Sequence, residues 1–339
     1  MTNSKTLTER RNNNRLFRRL ALVTVAIVYL LIMVGGIVRS TGAGMGCPDW
    51  PKCFGSWVPP TEESQLPLNY KEIYGAKLKG EVEFNAVKTW TEYVNRLFGA
   101  FTGLMIFATL LASIPFLRSD KAIFYLSLLT FLLVGFQGWL GAKVVSSELL
   151  PVMITLHMLL AIVIVFILLY VLARSYVGTI QVEAVQNKPK INRLLIVVLV
   201  LSLAQVLIGT QVREAMDLVI DDLGYSARNQ WIDALGATFY IHRSFSIIIV
   251  GTNAWLYYWI YKYSAGHGPI RMLAKSIMAI IAVEILTGVV MAYLAVPALS
   301  QPLHLTFAVA MLGAQFVLYL FLNAEIVFRT SAHSELKVV

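Results

Sequence analysis

Charge is scarce in this chain. Only 14% of its 339 residues are Asp, Glu, Lys or Arg, against 58% hydrophobic residues, and the mean hydropathy is +0.69. These values exclude a soluble globular domain and require most of the chain to lie in lipid. Cysteine is scarcer, with Cys47 and Cys53 alone, and there are five histidines. No phosphate loop, nucleophile triad or zinc-spaced cluster occurs, which excludes the chemistries those motifs mark.

What is abundant is apolar runs. Eight of them, near 20–38, 93–116, 122–142, 154–173, 192–212, 237–261, 271–294 and 303–326, approach the roughly 20 residues needed to cross a bilayer as helix. The expectation is an all-α membrane protein with eight transmembrane helices. The net charge of +9 does not point to nucleic acid, because its placement is periodic. Basic residues gather at Arg10, Arg11, Arg15, Arg18 and Arg19, at Arg118 and Lys121, at Lys188 and Lys190, and at Lys262 and Arg271: the N-terminus and every second loop. The positive-inside rule then puts both termini in the cytoplasm and loops 39–92, 143–153, 213–236 and 295–302 outside. Leu20–Val38 is a full span without a convincing cleavage site after it, so it reads as a retained first helix rather than a signal peptide.

The chain also repeats itself. Asn95 to His157 and His242 to His304 are each 62 residues apart; Thr91–Arg96 aligns with Thr238–Arg243, Gly141 and Gly288 stand sixteen residues before His157 and His304, and Gly35, Val38 and Arg39 align with Gly209, Val212 and Arg213. The reading is two tandem four-helix bundles related by a pseudo-two-fold axis along the membrane normal. A cytoplasmic N-terminus (1–19) precedes the first half (20–173), a polar linker (174–191) leads to the second half (192–326), and a cytoplasmic tail (327–339) ends the chain. The halves differ most in loop 39–92, an insertion carrying the cysteines that is suited to capping the outer surface. Loop 213–236, with Asp217, Asp221, Asp222 and Asp233, reads as a solvated acidic connector.

Asn95, His157, His242 and His304 fall near the outer ends of the even-numbered helices and so form one layer. Neutral imidazole is a good iron ligand, and His242 with His304 would hold a six-coordinate haem in the second half; the alternative is a set of hydrogen-bonded interfacial histidines. Arg39, Arg96, Arg213 and Arg243 lie at the outer face against the charge bias, suited either to haem propionates or to capping helix carbonyls and pairing with carboxylates. Glu92 shares a helix face with Asn95, and its repeat partner is Phe239. A carboxylate in one of two duplicated sites places chemistry in the first half, unless it is an exposed boundary charge. Cys47 and Cys53 suit a disulfide first, a reactive dithiol or metal site second. Trp50 and Trp57 suit a loop touching headgroups. His267 and His333 read as incidental.

The stretch from Gly35 to Cys53, GGIVRSTGAGMGCPDWPKC, resembles the first outer loop of haem A synthases. The Glu92–Arg96 turn, Leu156-His157, Ile241-His242-Arg243 and Leu303-His304 are similar to elements of the same family, so the resemblance spans nearly all eight helices. It implies conversion of the C8 methyl of haem O to the formyl of haem A for haem-copper oxidases. It also implies a haem b on His242 and His304, a substrate haem site in the first half with His157 on the iron side, Glu92 as the catalytic carboxylate, and Cys47 and Cys53 as the outer-loop pair.

The chain departs from that pattern at Asn95, where the family places the other histidine of the first pair. Asn is a poor haem ligand, so His157 is expected to hold the iron alone or with a water bridging to Asn95. The competing readings are a non-catalytic haem carrier or oxidase assembly factor, a dihaem quinol-linked cytochrome b, which should show two histidine pairs, and a transporter. Implied partners are the lipid bilayer, the farnesyltransferase that makes haem O and the oxidase that receives haem A; a homo-oligomer is compatible with all of this. A bacterial inner membrane is expected, because the asparagine-containing N-terminus does not look like a transit peptide.

Overall fold

Lipid offers a peptide backbone no hydrogen-bond partners, so apolar runs of this length satisfy their own amides as helix. The structure, a computed structural model, describes residues 2–75, 83–177, 179–180, 182–266 and 268–328. It is all-helical, with no strand among the described residues. In chain order the helices are α1 (Thr2–Ser40), α2 (Tyr70–Tyr74), α3 (Ala86–Ser113), α4 (Lys121–Ser146), α5 (Pro151–Ser175), α6 (Lys188–Leu223), α7 (Trp231–Ala234), α8 (Ala237–Tyr263), α9 (Pro269–Tyr293), α10 (Ser300–Leu322) and α11 (Ala324–Val327). Seven are by themselves long and apolar enough to cross a membrane, and the count is eight if the bent pair Tyr225–Ala234 and Ala237–Tyr263 is one span. Large apolar side chains such as Leu132, Ile247 and Leu286 remain exposed on these helices, as a lipid-facing surface requires. His267, His333 and tail residues 329–339 lie outside the described residues.

Neighbouring helices pack in the same order in both parts of the chain. α3 packs on α1 and α4 on α5; α8 packs on α6 and α9 on α10. One core gathers Val25, Ile106, Val165 and Leu168, and another gathers Leu195, Ile249, Ile277 and Leu318. Several polar groups inside them are paired. Thr24 and Thr109 hydroxyls lie 2.8 Å apart, and the fully buried Gln315 donates to Ser202 Oγ and Asn253 Oδ1, both at 3.0 Å. Arg174 closes the end of α5 onto Asp120 at 2.7 Å.

The two parts meet chiefly where α1 crosses α10. A Cβ on Gly36 would lie 3.0 Å from Cα of Pro302, and one on Gly313 would lie 2.3 Å from the Tyr29 hydroxyl. Small residues bring the backbones together, the usual device where lipid gives helices no hydrophobic reason to associate. Phe166 of α5 stacks on Phe316 of α10 with ring centroids 4.6 Å apart.

Two expected boundaries move. Helix α6 does not stop at 212 but runs to Leu223, because Met216, Val219 and Ile220 continue its apolar face onto Trp231, Leu235 and Val296. The segment 213–236 is therefore a packed layer rather than a solvated connector, with Trp231 only 1% exposed; Asp221, Asp222 and Asp233 do face solvent. Likewise α3 begins at Ala86, where Asn85 Oδ1 caps the Lys88 amide at 3.0 Å, so Glu92 stands on a helix.

Gly36→Leu should destabilise the protein by about 1–3 kcal/mol through overpacking against Pro302, read as a lower melting temperature in detergent. Gly103→Ala, where a Cβ meets nothing within 4 Å, should leave it unchanged. Equal melting of the two variants would contradict the α1–α10 contact.

Candidate functional site

Each of four helix pairs brings one polar side chain against one glycine. A Cβ on Gly141 of α4 would lie 3.4 Å from Cε1 of His157 on α5; on Gly209 of α6, 3.2 Å from Cε1 of His242 on α8; on Gly288 of α9, 3.8 Å from Cε1 of His304 on α10. The fourth pair sets Gly35 of α1 against Asn95 of α3, where the distance to Oδ1 would be 3.9 Å. Each side chain lies close to a helix backbone, in space that a residue larger than glycine would compete for.

Four residues before each glycine stands a second recurring position. Gln137 Nε2 donates to the backbone carbonyl of His157 at 2.8 Å, and Gln205 Nε2 to that of His242 at 3.0 Å. Glu284 holds this position in α9, and Leu31 in α1. Nδ1 of His157, Nδ1 of His242 and Oδ1 of Asn95 are buried without a hydrogen-bond partner among the described residues. The rings of His242 and His304 face one another with centroids 6.3 Å apart and planes at 72°.

Glu92 is 3% exposed, which rules out the exposed boundary charge. Its Oε2 accepts the Cys47 amide at 2.8 Å and its Oε1 is paired with the Arg96 guanidinium. Arg96 also donates to the carbonyls of Asp49 at 2.6 Å, Cys47 at 2.9 Å and Lys52 at 3.0 Å. The loop reaches this far because Gly46 has no side chain: a Cβ there would sit 2.4 Å from the Lys88 carbonyl. Cys47 and Cys53 are joined as a disulfide with Cα atoms 4.8 Å apart, and Asp49 caps the turn by accepting the amides of Phe54 at 2.6 Å and Gly55 at 2.8 Å. Below them Phe54, Leu66 and Tyr70 form a small core, and Trp50 and Trp57 are exposed.

The other arginines are placed unequally. Asp217, on the unexpected extension of α6, binds Arg39 at 2.7 Å and Arg213 at 2.6 Å. Arg213 also donates to Gln301 Oε1 at 3.1 Å and to the Arg39 carbonyl at 3.2 Å. Arg243 is exposed and makes no side-chain hydrogen bond or ion pair among the described residues. Sequence reasoning missed Gln137, Gln205, Glu284 and Asp217. The spacing of four to each glycine is a readable signal for the first three; for Asp217 the signal is its i,i+4 spacing to Arg213, hidden in an acidic stretch that reads as loop.

The family model described as cytochrome oxidase assembly protein matches residues 18–316 of this chain. Among curated relatives, the haem A synthase of Shewanella oneidensis is 28% identical over 189 residues, covering 55% of this chain and 54% of that protein. The haem A synthase of Bartonella bacilliformis is 31% identical over 154 residues, 43% of each. That of Rickettsia prowazekii is 23% identical over 341 residues, 89% of this chain and 96% of the relative. The chain thus spans about half the length of the first two and nearly all of the third.

Arg96→Gln should free the disulfide loop, since it withdraws donors from three carbonyls and leaves Glu92 buried without its counter-charge, at a cost of about 3 kcal/mol. Trypsin cleavage after Lys52 and Lys71 in the folded protein should speed up at least tenfold. An unchanged rate would mean that the loop is held by other contacts.

Proposed function

This chain belongs to the family of cytochrome oxidase assembly proteins, and from that membership we propose that it is a haem A synthase, oxidising the C8 methyl of haem O to the formyl group of haem A for haem-copper oxidases. The observation that carries the reading is the layer of His157, His242, His304 and Asn95, each seated on a glycine of the preceding spanning helix. Four equivalent seats support two four-helix halves, 20–173 and 192–326, joined by the linker 174–191 and related by a pseudo-two-fold axis along the membrane normal. The basic clusters support cytoplasmic termini in a cell membrane, with the sites and the disulfide loop toward the outer face.

The second half suits a haem b. Metal–imidazole bonds are about 2 Å long, so rings whose centroids are 6.3 Å apart leave room for one iron, which His242 and His304 would hold. Such a group supplies a low-spin one-electron carrier. Arg213 keeps its Nε buried without a partner among the described residues, and with Arg39 and Arg243 it offers forked donors to propionates.

The first half suits the substrate. His157 presents the one imidazole there, and Asn95 occupies the corresponding seat on Gly35 without an imidazole, so His157 would hold the substrate iron alone or with a water bridging to Asn95. Glu92 stands one turn from Asn95 on α3. Held by the Cys47 amide and Arg96, it is oriented to stabilise positive charge developing at the methyl group and to position the attacking water. Two successive two-electron oxidations, each adding the oxygen of one water and releasing two protons and two electrons to an external electron acceptor, followed by loss of one water, would give the formyl group. The farnesyltransferase that supplies haem O and the oxidase that takes haem A are the proposed partners, alongside the lipid.

Asn95 and Leu31, which break both recurring positions in the same helix pair, favour a second reading: a haem carrier or oxidase assembly factor whose first site has lost its chemistry. Extracted haems from cells that make haem O, with and without this protein and with Glu92→Ala, decide between them. Haem A is expected only with the intact chain; bound haem b with no haem A, in cells supplying haem O and an electron acceptor, would favour the carrier. His242→Ala or His304→Ala should remove the low-spin absorption bands from the purified protein, and unchanged spectra would sink the haem b assignment.

A further inference from the structure

One buried carboxylate, Glu284, has no place in the scheme so far. Its side chain is 14% exposed, its Oε2 lies 3.1 Å from Nδ1 of His304, and its Oε1 is buried with no partner. No Lys or Arg pairs with it among the described residues. A carboxylate kept in an apolar bundle without a counter-ion is costly, and such residues are retained for function.

The contacts define what it does to the ring. Thr287 Oγ1 lies 2.9 Å from the same Nδ1 and 3.0 Å from the carbonyls of Val283 and Glu284. A hydroxyl has one proton, and with it directed to one of these carbonyls of its own helix Thr287 Oγ1 would meet Nδ1 as an acceptor. Glu284 Oε2 and Thr287 Oγ1 together then favour the tautomer in which Nδ1 carries the ring proton and Nε2 keeps its lone pair. The repeat sharpens the point. Gln137 and Gln205, at the matching positions, bond the backbone of His157 and His242 and leave those Nδ1 atoms without a partner; only His304 has its ring nitrogen bonded to a carboxylate.

We propose that Glu284, with Thr287, is the positioning pair that fixes His304 for the iron and strengthens it as a donor, making the two axial histidines of the second half unequal. This rests on the haem b reading above. An Nδ1–H bonded to a carboxylate gives the imidazole more basic character, which favours the ferric over the ferrous form, whereas His242 stays an ordinary imidazole ligand.

The test is the midpoint potential of the purified full-length protein carrying its haem. Glu284→Gln places here the residue that α4 and α6 already hold, so the fold is expected to tolerate it. Haem content and low-spin bands should persist, and the midpoint should rise by about 59 mV, a tenfold shift in the one-electron equilibrium. Thr287→Val, which removes the other acceptor at constant shape, should move it up by a smaller step and decides the matter if the first variant does not fold. Low-spin haem with an unmoved potential would overturn this inference alone, while absence of low-spin haem from the unaltered protein would overturn the haem b reading and this inference with it.

Discussion

The arrangement depends on helix backbones approaching so closely that an imidazole can lie on them. At Gly141, Gly209 and Gly288 the neighbouring histidine comes within van der Waals reach of where a side chain would begin. Lipid gives no hydrophobic push between helices, so association rests on such contact, and a bulky residue at these glycines would part the pair and swing the ring away. Packing and ligand placement are thus one feature. The amides of Gln137 and Gln205, which tie each helix to the carbonyl of the histidine opposite, lock the same pairs one turn deeper.

The disulfide loop solves a different problem, that of holding a buried carboxylate. Glu92 is held by a backbone amide and a guanidinium, and that guanidinium is held by the carbonyls of the loop that supplies the amide. Each member satisfies another, so the group is satisfied as a unit or not at all. The disulfide between Cys47 and Cys53 shortens the chain that must be ordered to bring three carbonyls to one residue.

Much of this could be read from the residues because it is carried by composition and periodicity. Eight apolar runs are visible, and the 62-residue spacing marks Asn95 and three histidines, each of which the structure sets near a glycine. The extension of α6 to Leu223 is not visible, because Arg213, Glu214 and Asp217 interrupt hydropathy while Met216, Val219 and Ile220 keep the helical stripe that packs on Trp231. The arginines show a limit of another kind. The i,i+4 spacing of Arg213 and Asp217 is local, yet that Arg39 joins them depends on tertiary approach, which no local pattern encodes. Glu284 hid for the opposite reason: within an apolar run a single carboxylate looks like noise until the register with Gln137 and Gln205 is drawn.

The crossing of α1 on α10, with Gly36 against Pro302 and Gly313 against Tyr29, joins residues that stand more than 260 positions apart in the chain. A ribosome delivers α10 long after α1. The earlier helix must therefore wait in the bilayer without this partner until α10 has been made. Closure of the contact follows synthesis of α10, and a chain interrupted before that helix leaves the Gly36 face of α1 open.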